Sequence, residues 1–187
     1  MNYNEFSLEK LLNYTHDSLA WYWLGMAYWD ERNDFKNAAL WLTKTMDDPN
    51  NEWSNKAAQQ LGMLNMGFLP DSSKDKALDF FEKSINLIIS RLNAGFLYHE
   101  GTETRHDPTK GKNLVEEAIS LLIKKNGNDD YLAPNEFYKI AVMYEAERQI
   151  PQAIEYYRKA SNKCDLRYES DRRLKQTIED ILRELNG

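Results

Sequence analysis

The sequence predicts an all-α protein: about four antiparallel helix hairpins stacked side by side, with a helix capping each end. Three observations predict it. A small residue preceded by an apolar one recurs four times, as Leu24-Gly25, Leu61-Gly62, Ala94-Gly95 and Ile140-Ala141. A second small residue, with a bulky one three positions later, recurs in step as Ala38/Trp41, Ala77/Phe80, Gly111/Leu114 and Ala153/Tyr156. That second series returns every 34 to 42 residues, within the range of helical-hairpin repeats.

The residue types follow from packing. A Gly or Ala at a helix crossing lets two backbones approach, and an aromatic one turn away fills the space beside it. Tyr28, Tyr98 and Tyr144 stand three positions after the small residue, with Asn65 the exception. Glycine inside a helix costs about 1 kcal/mol against alanine, so three at matching positions imply compensation by close contact. A lone hairpin cannot bury its apolar stripe, whereas stacked copies share one core.

The elements follow in order. Phe6, Leu8, Leu11, Leu12 and Tyr14 alternate with polar residues, an amphipathic N-terminal helix at 5–16 that caps the first hairpin. Asp17 or Ser18 can N-cap the next helix, which runs to about Glu31, and Asp34 caps its partner, ending near Asp47 and Asp48. Pro49-Asn50-Asn51 is a turn, with Asn51 capping a helix through Gly67. Residues 69–73 open the return helix, and Asn86 marks a break before the third repeat, although 78–97 also reads as one long helix. Glu100 to Arg105 is a polar loop, after which Asp107-Pro108 supplies an N-cap with Pro at the first helical position. That helix stops at Lys124-Lys125-Asn126-Gly127, and Asn128-Asp129-Asp130 is linker. Pro134 and Pro151 start the two helices of the fourth repeat. A last helix at about 169–185 puts Leu174, Ile178, Ile181, Leu182 and Leu185 on one side and charge on the other, as a terminal cap requires. The expected organisation is a single repeat domain over 1–187, with repeats at 18–48, 51–85, 86–126 and 134–163 and a C-terminal cap at 168–186.

Composition narrows the function. Hydrophobic residues at 42% and charged residues at 29% belong to a folded, soluble chain. A net charge of −6 weighs against nucleic-acid binding, which needs a basic stripe to displace counterions. No run nears the roughly eighteen apolar residues of a membrane span, and Met1-Asn2-Tyr3-Asn4-Glu5 has neither the basic nor the apolar character of a secretory leader. The single Cys164 excludes an internal disulfide and fits a reducing compartment, so the expected location is cytoplasmic.

The repeated motifs resemble the tetratricopeptide superfamily and, more closely, its Sel-one-like branch. There the first helix reads A-x-x-x-L-G-x-x-Y and the second K-A-x-x-W-x-x-K-A. Ala20-x-x-x-Leu24-Gly25-x-x-Tyr28 fits the first pattern in full, and Lys76-Ala77-x-x-Phe80-x-x-Lys83 nearly fits the second. The resemblance covers about 18–161 and departs at Asn65, Gly111, Leu114 and Ala141. It implies a right-handed superhelix whose inner wall comes mainly from each hairpin's first helix, at three and two positions before the small residue and one and four after it. Carried over, this gives Tyr22, Trp23, Met26 and Trp29 from the first copy and Gln59, Gln60, Met63 and Met66 from the second. The third contributes Leu92, Asn93, Phe96 and His99, and the fourth Tyr138, Lys139, Val142 and Glu145. Of these, the expected partner-binding set is Tyr22, Trp23, Met26, Trp29, Gln59, Gln60, Met63, Met66, Asn93, Phe96, His99, Tyr138 and Lys139. The lining lacks the Lys/Asn ladder with which some relatives clamp a peptide's C-terminal carboxylate.

No catalytic constellation stands out. Gly-rich phosphate loops, G-x-S-x-G and paired cysteines are all missing, and carboxylates are scattered over helix surfaces. His99, Glu100, His106 and Asp107 share one loop region, but their spacing matches no ligand motif, and a solvated polar loop is the plain reading. All five tryptophans, Trp21, Trp23, Trp29, Trp41 and Trp53, fall in the first third of the chain. Trp21 and Trp41 occupy core positions of the repeat, whereas Trp23 and Trp29 do not. The expected function is therefore a non-catalytic scaffold, without cofactor or metal, that binds a partner protein or peptide on a concave aromatic and Met-rich face. The alternatives are an acidic inhibitor or immunity-type protein neutralising a bacterial toxin or enzyme, a metal-dependent enzyme using the His99–Asp107 loop, and a subunit whose tryptophan-rich end is an oligomer seam. A monomer is the expectation for the free chain.

Overall fold

A computed structural model describes residues 2–129 and 131–185. Among these the protein is all-α, with helices α1 Leu8–Leu11, α2 Ser18–Arg32, α3 Phe35–Asp47, α4 Ser54–Leu64, α5 Lys74–Lys83, α6 Ile88–Glu100, α7 Pro108–Asn126, α8 Pro134–Ala146, α9 Ile150–Lys163 and α10 Glu169–Leu185. Contacts divide the chain into two compact units, Met1–Pro108 and Thr109–Gly187. The helices of the third repeat, α6 and α7, therefore belong to different units.

In the first unit each helix packs on its successor from α2 through α6. A two-residue turn makes the first hairpin tight. Asn33 takes a left-handed φ of 51° and its N–H returns to Trp29 O, while Asp34 accepts from Asn37 N–H to start α3. Asn can occupy that conformation because its short polar side chain bonds locally. The small residues sit where backbones meet. A Cβ on Gly25 would lie 2.7 Å from Leu42 Cγ, and one on Gly62 would lie 2.6 to 2.9 Å from three atoms of the Phe81 ring. Ala38 and Ala77, opposite them, are fully buried.

Several local expectations are redrawn. The segment at 5–16 is not one helix but a 3-10 turn at Tyr3–Glu5, the single turn α1 and a second 3-10 turn at Leu12–Tyr14. Phe6 and Ser7 take extended backbone between them, which lets Tyr3, Leu8 and Leu11 all reach the core. Asp17 both caps α2, through Leu19 N–H, and accepts a hydrogen bond from the Tyr3 hydroxyl. That pairing raises the Tyr3 phenol to about 12 and holds Asp17 below its ordinary value. Helix α4 begins at Ser54 and ends at Leu64, so Asn51 is not its cap and Gly67 lies beyond it. Asn51 is buried instead, accepting from Trp53 N–H and donating to Ser18 O. The side chain of Asn65 turns back to Leu61 O and closes the helix early.

The loop at 100–105 is not simply solvated. Glu103 accepts from the Lys74 and Asp75 N–H groups and so caps α5 from 28 residues away. Arg105 reaches Asp75, Asp79 and Glu82 at 3.3, 2.9 and 3.3 Å. The Thr102 hydroxyl, then Thr104 and Arg105, hold Asp75 below the usual carboxylate range.

In the second unit α8 and α9 form a hairpin, and α10 packs on both. Phe137, Ile140, Ala153, Tyr157, Ala160 and Ile178 are buried, with Ile178 anchoring α10. Residue 129, read as linker, is buried at 6% exposure, and its carboxylate accepts from Lys159 Nζ at 2.8 Å. Lys159 rises above its ordinary value: burial opposes its charge, and the Asp129 and Glu155 carboxylates outweigh that. Asp130 of that segment and residue 186 of the expected C-terminal cap lie outside the described residues. No buried side-chain nitrogen or oxygen lacks a hydrogen-bond partner among those described.

Candidate functional site

The first helix of the first hairpin is apolar almost all round, and the fold deals with its rings in two clusters. In one, the Tyr22 ring stacks on Trp53 at 5.1 Å and 15°, and Trp23 meets both edge-on at 5.0 and 5.1 Å. Burial pushes the Tyr22 phenol above its ordinary value, partly offset by a hydrogen bond from Gln60. Lys56 Nζ lies 4.4 Å from the Trp53 ring centre, a cation–π contact that holds the indole in place. In the other cluster Trp29, Phe35 and Phe68 meet pairwise at 5.1 to 6.2 Å, and Phe68 remains 48% exposed. Met66, two residues before it, is 36% exposed.

The expected binding residues divide by burial. Tyr22, Asn93 and Phe96 are buried and present little surface. They pack between helices, as core residues at helical spacing do. Trp23, Met26, Trp29, Gln59, Gln60, Met63 and His99 are half-buried, and Met66 is exposed. Within the first unit the fold brings Tyr22, Trp23 and Gln60 together, and it sets Asn93 Nδ2 3.8 Å from Met63 Sδ. Trp29 joins the separate Phe35–Phe68 cluster instead. Tyr138 and Lys139, on α8 in the second unit, are half-buried, and the Tyr138 ring lies 5.8 Å from Tyr157. Sequence reasoning left out Trp53 and Phe68. Trp53 precedes the first turn of α4 and Phe68 follows its last, so neither carries the helical period that marks a face.

The polar groups of the loop after α6 pair locally. His106 Nε2 lies 3.2 Å from the His99 carbonyl, and Glu100 pairs with Lys74 at 3.2 Å. Among the described residues no group of three or more His, Cys, Asp or Glu side chains converges as a metal-ligand set. Burial, then Asp171, raises the Cys164 thiol, which disfavours the reactive thiolate. No helix among the described residues is long and apolar enough to cross a membrane.

No family model and no curated protein matches the chain. A solved structure does: a protective antigen present in uropathogenic Escherichia coli strains and displaying an SLR fold, with a TM-score of 0.61 and 16% sequence identity over 84% of this chain. The chain spans 33% of that neighbour's length. At this identity the likeness establishes the fold. It is the Sel-one-like helical repeat that the small-residue motifs imply.

Proposed function

We infer that this Sel-one-like repeat chain is a non-catalytic interaction module that docks a partner protein through the first-helix face of its N-terminal unit. The observation that carries the reading is the solvent-open ring cluster of Trp29, Phe35 and Phe68, flanked by the exposed Met66. Aromatic rings and thioethers left partly in water, on a fold that buries similar residues elsewhere, are typical of docking surfaces. Trp23, Met26, Gln59, Gln60, Met63 and His99 extend the surface along α2, α4 and α6 of the first unit, and Tyr138 and Lys139 on α8 would form a contact surface of the second unit by itself. The same reading places the protein in the cytoplasm as a monomer when free.

Affinity capture from native lysate identifies the partner, and alanine at Trp29 and Phe68 tests the surface. Each substitution is expected to weaken capture roughly tenfold or more, in the range of aromatic hot spots, while leaving the helical circular-dichroism signal unchanged. Undiminished capture by both variants would remove this surface from the account. A partner captured only when folded, and inhibited on binding, would move the reading from adaptor to inhibitor.

A further inference from the structure

A pocket of about 210 Å³ opens between the N-terminal segment and α2. Tyr3, Phe6, Trp23 and Met26 line it, and so do the acidic residues Asp30 and Glu31. The two acids are held differently. Glu31 accepts from Leu8 N–H at 3.0 Å and so ties the N-terminal segment to α2. Asp30 is exposed and forms no ion pair with a described residue. Phe6 already takes one cation on its ring, with Lys10 Nζ 3.5 Å from the centroid.

Part of the arrangement recurs in the second unit at the same register. Counted from the small residues Gly25 and Ala141, the position three earlier is Tyr22 or Tyr138, and the position one later is Met26 or Val142; all four line pockets. There α10 takes the part of the N-terminal segment beside an open pocket of about 450 Å³ lined by Tyr138, Tyr157, Glu145 and Glu184, with the Glu145 carboxylate accepting from the Tyr157 hydroxyl. Each unit thus has aromatic and acidic residues in one pocket beside a repeat's first helix, the acids standing at different positions in the two.

We propose that the pocket beside α2 is a socket for one cationic side chain, an arginine or lysine, of the partner protein. Ring faces and carboxylates both attract a cation. An anion would meet two like charges. A wholly apolar group would strip water from Asp30 and Glu31 without replacing it. The volume is well under the roughly 300–1,000 Å³ of small-molecule sites and suits a single long side chain. The socket rests on the reading that this face contacts a protein, and it specifies the charge of what enters.

The test titrates the full chain with N-acetyl-arginine amide and with its uncharged counterpart, N-acetyl-citrulline amide, followed by backbone amide resonances. The arginine probe is expected to shift residues 3–6 and 22–31 saturably, and the citrulline probe to leave them nearly unmoved. Asp30→Asn, an exposed isosteric change that leaves the fold intact, should weaken arginine binding roughly two- to fivefold, as for a solvent-facing ion pair. Equal response to both probes, shifts centred elsewhere, or an Asp30→Asn protein that binds as before would each overturn the socket. Partner capture separates this from the wider reading: Asp30→Asn unaffected with Trp29→Ala impaired removes the socket alone, whereas capture undiminished in Trp29→Ala and Phe68→Ala removes the docking face.

Discussion

Phe81→Ala lowers the unfolding free energy by about 3–5 kcal/mol, the cost of removing a large ring from a core that only partly collapses around the hole. Phe81 is wholly buried, and its ring lies against the Gly62 backbone where α4 crosses α5. A folded domain has about 5–15 kcal/mol in total, so the loss brings the first unit close to its limit. Urea denaturation followed by circular dichroism measures it. The converse change tests the same crossing. Gly62→Ala gains about 1 kcal/mol of helix propensity but places a methyl within 3 Å of the ring, an overpacking worth about 1–3 kcal/mol. In a Phe81→Leu background the methyl has room, so the same substitution is expected to turn neutral or stabilising. Independent, additive effects would show that the two positions do not meet.

Asp129→Ala is the second large effect, expected at about 2–3 kcal/mol. The carboxylate is buried and accepts from Lys159 Nζ at 2.8 Å, fastening the segment after α7 to α9. Removing the acid leaves a partly buried ammonium without its main partner, and breaking such a pair costs more than the pair contributes. Lys159 keeps a third of its side chain in water, which places the loss below that of a fully buried pair. Alanine at Glu155, the second carboxylate on Lys159 and an exposed one, should cost no more than about 0.5 kcal/mol. If the two substitutions prove equal in thermal unfolding, residue 129 is a surface linker after all.

Legibility in the sequence followed the range of each interaction. Gly25 and Gly62 were readable because a glycine inside a strong helical pattern needs a close neighbour, and Leu42 and Phe81 are those neighbours. Asp17 and Asp34 were readable as caps because each acts on a backbone N–H two or three residues ahead. Glu103 on α5 and Asp129 on α9 were not. Each bridges about 30 residues between a loop and a helix, with no period to announce the pairing. The N-terminal turns also escaped notice, since the apolar spacing of Leu8, Leu11 and Leu12 fits a helix equally well until the extended backbone at Phe6 and Ser7 is seen. For the candidate site, the family resemblance implied a face on α2, α4 and α6 but could not separate inward from outward rings. Phe96 is swallowed by the core, whereas Phe68, in a loop, stays open.

Hydrogen exchange of the chain alone and in complex with its captured partner tests the central claim most directly. The account predicts new protection over residues 22–30 and 59–68, the stretches that carry Trp23, Met26, Trp29, Met63, Met66 and Phe68. Protection confined to α5 and to α3 beyond its first turn, with those stretches exchanging as in the free chain, would contradict it.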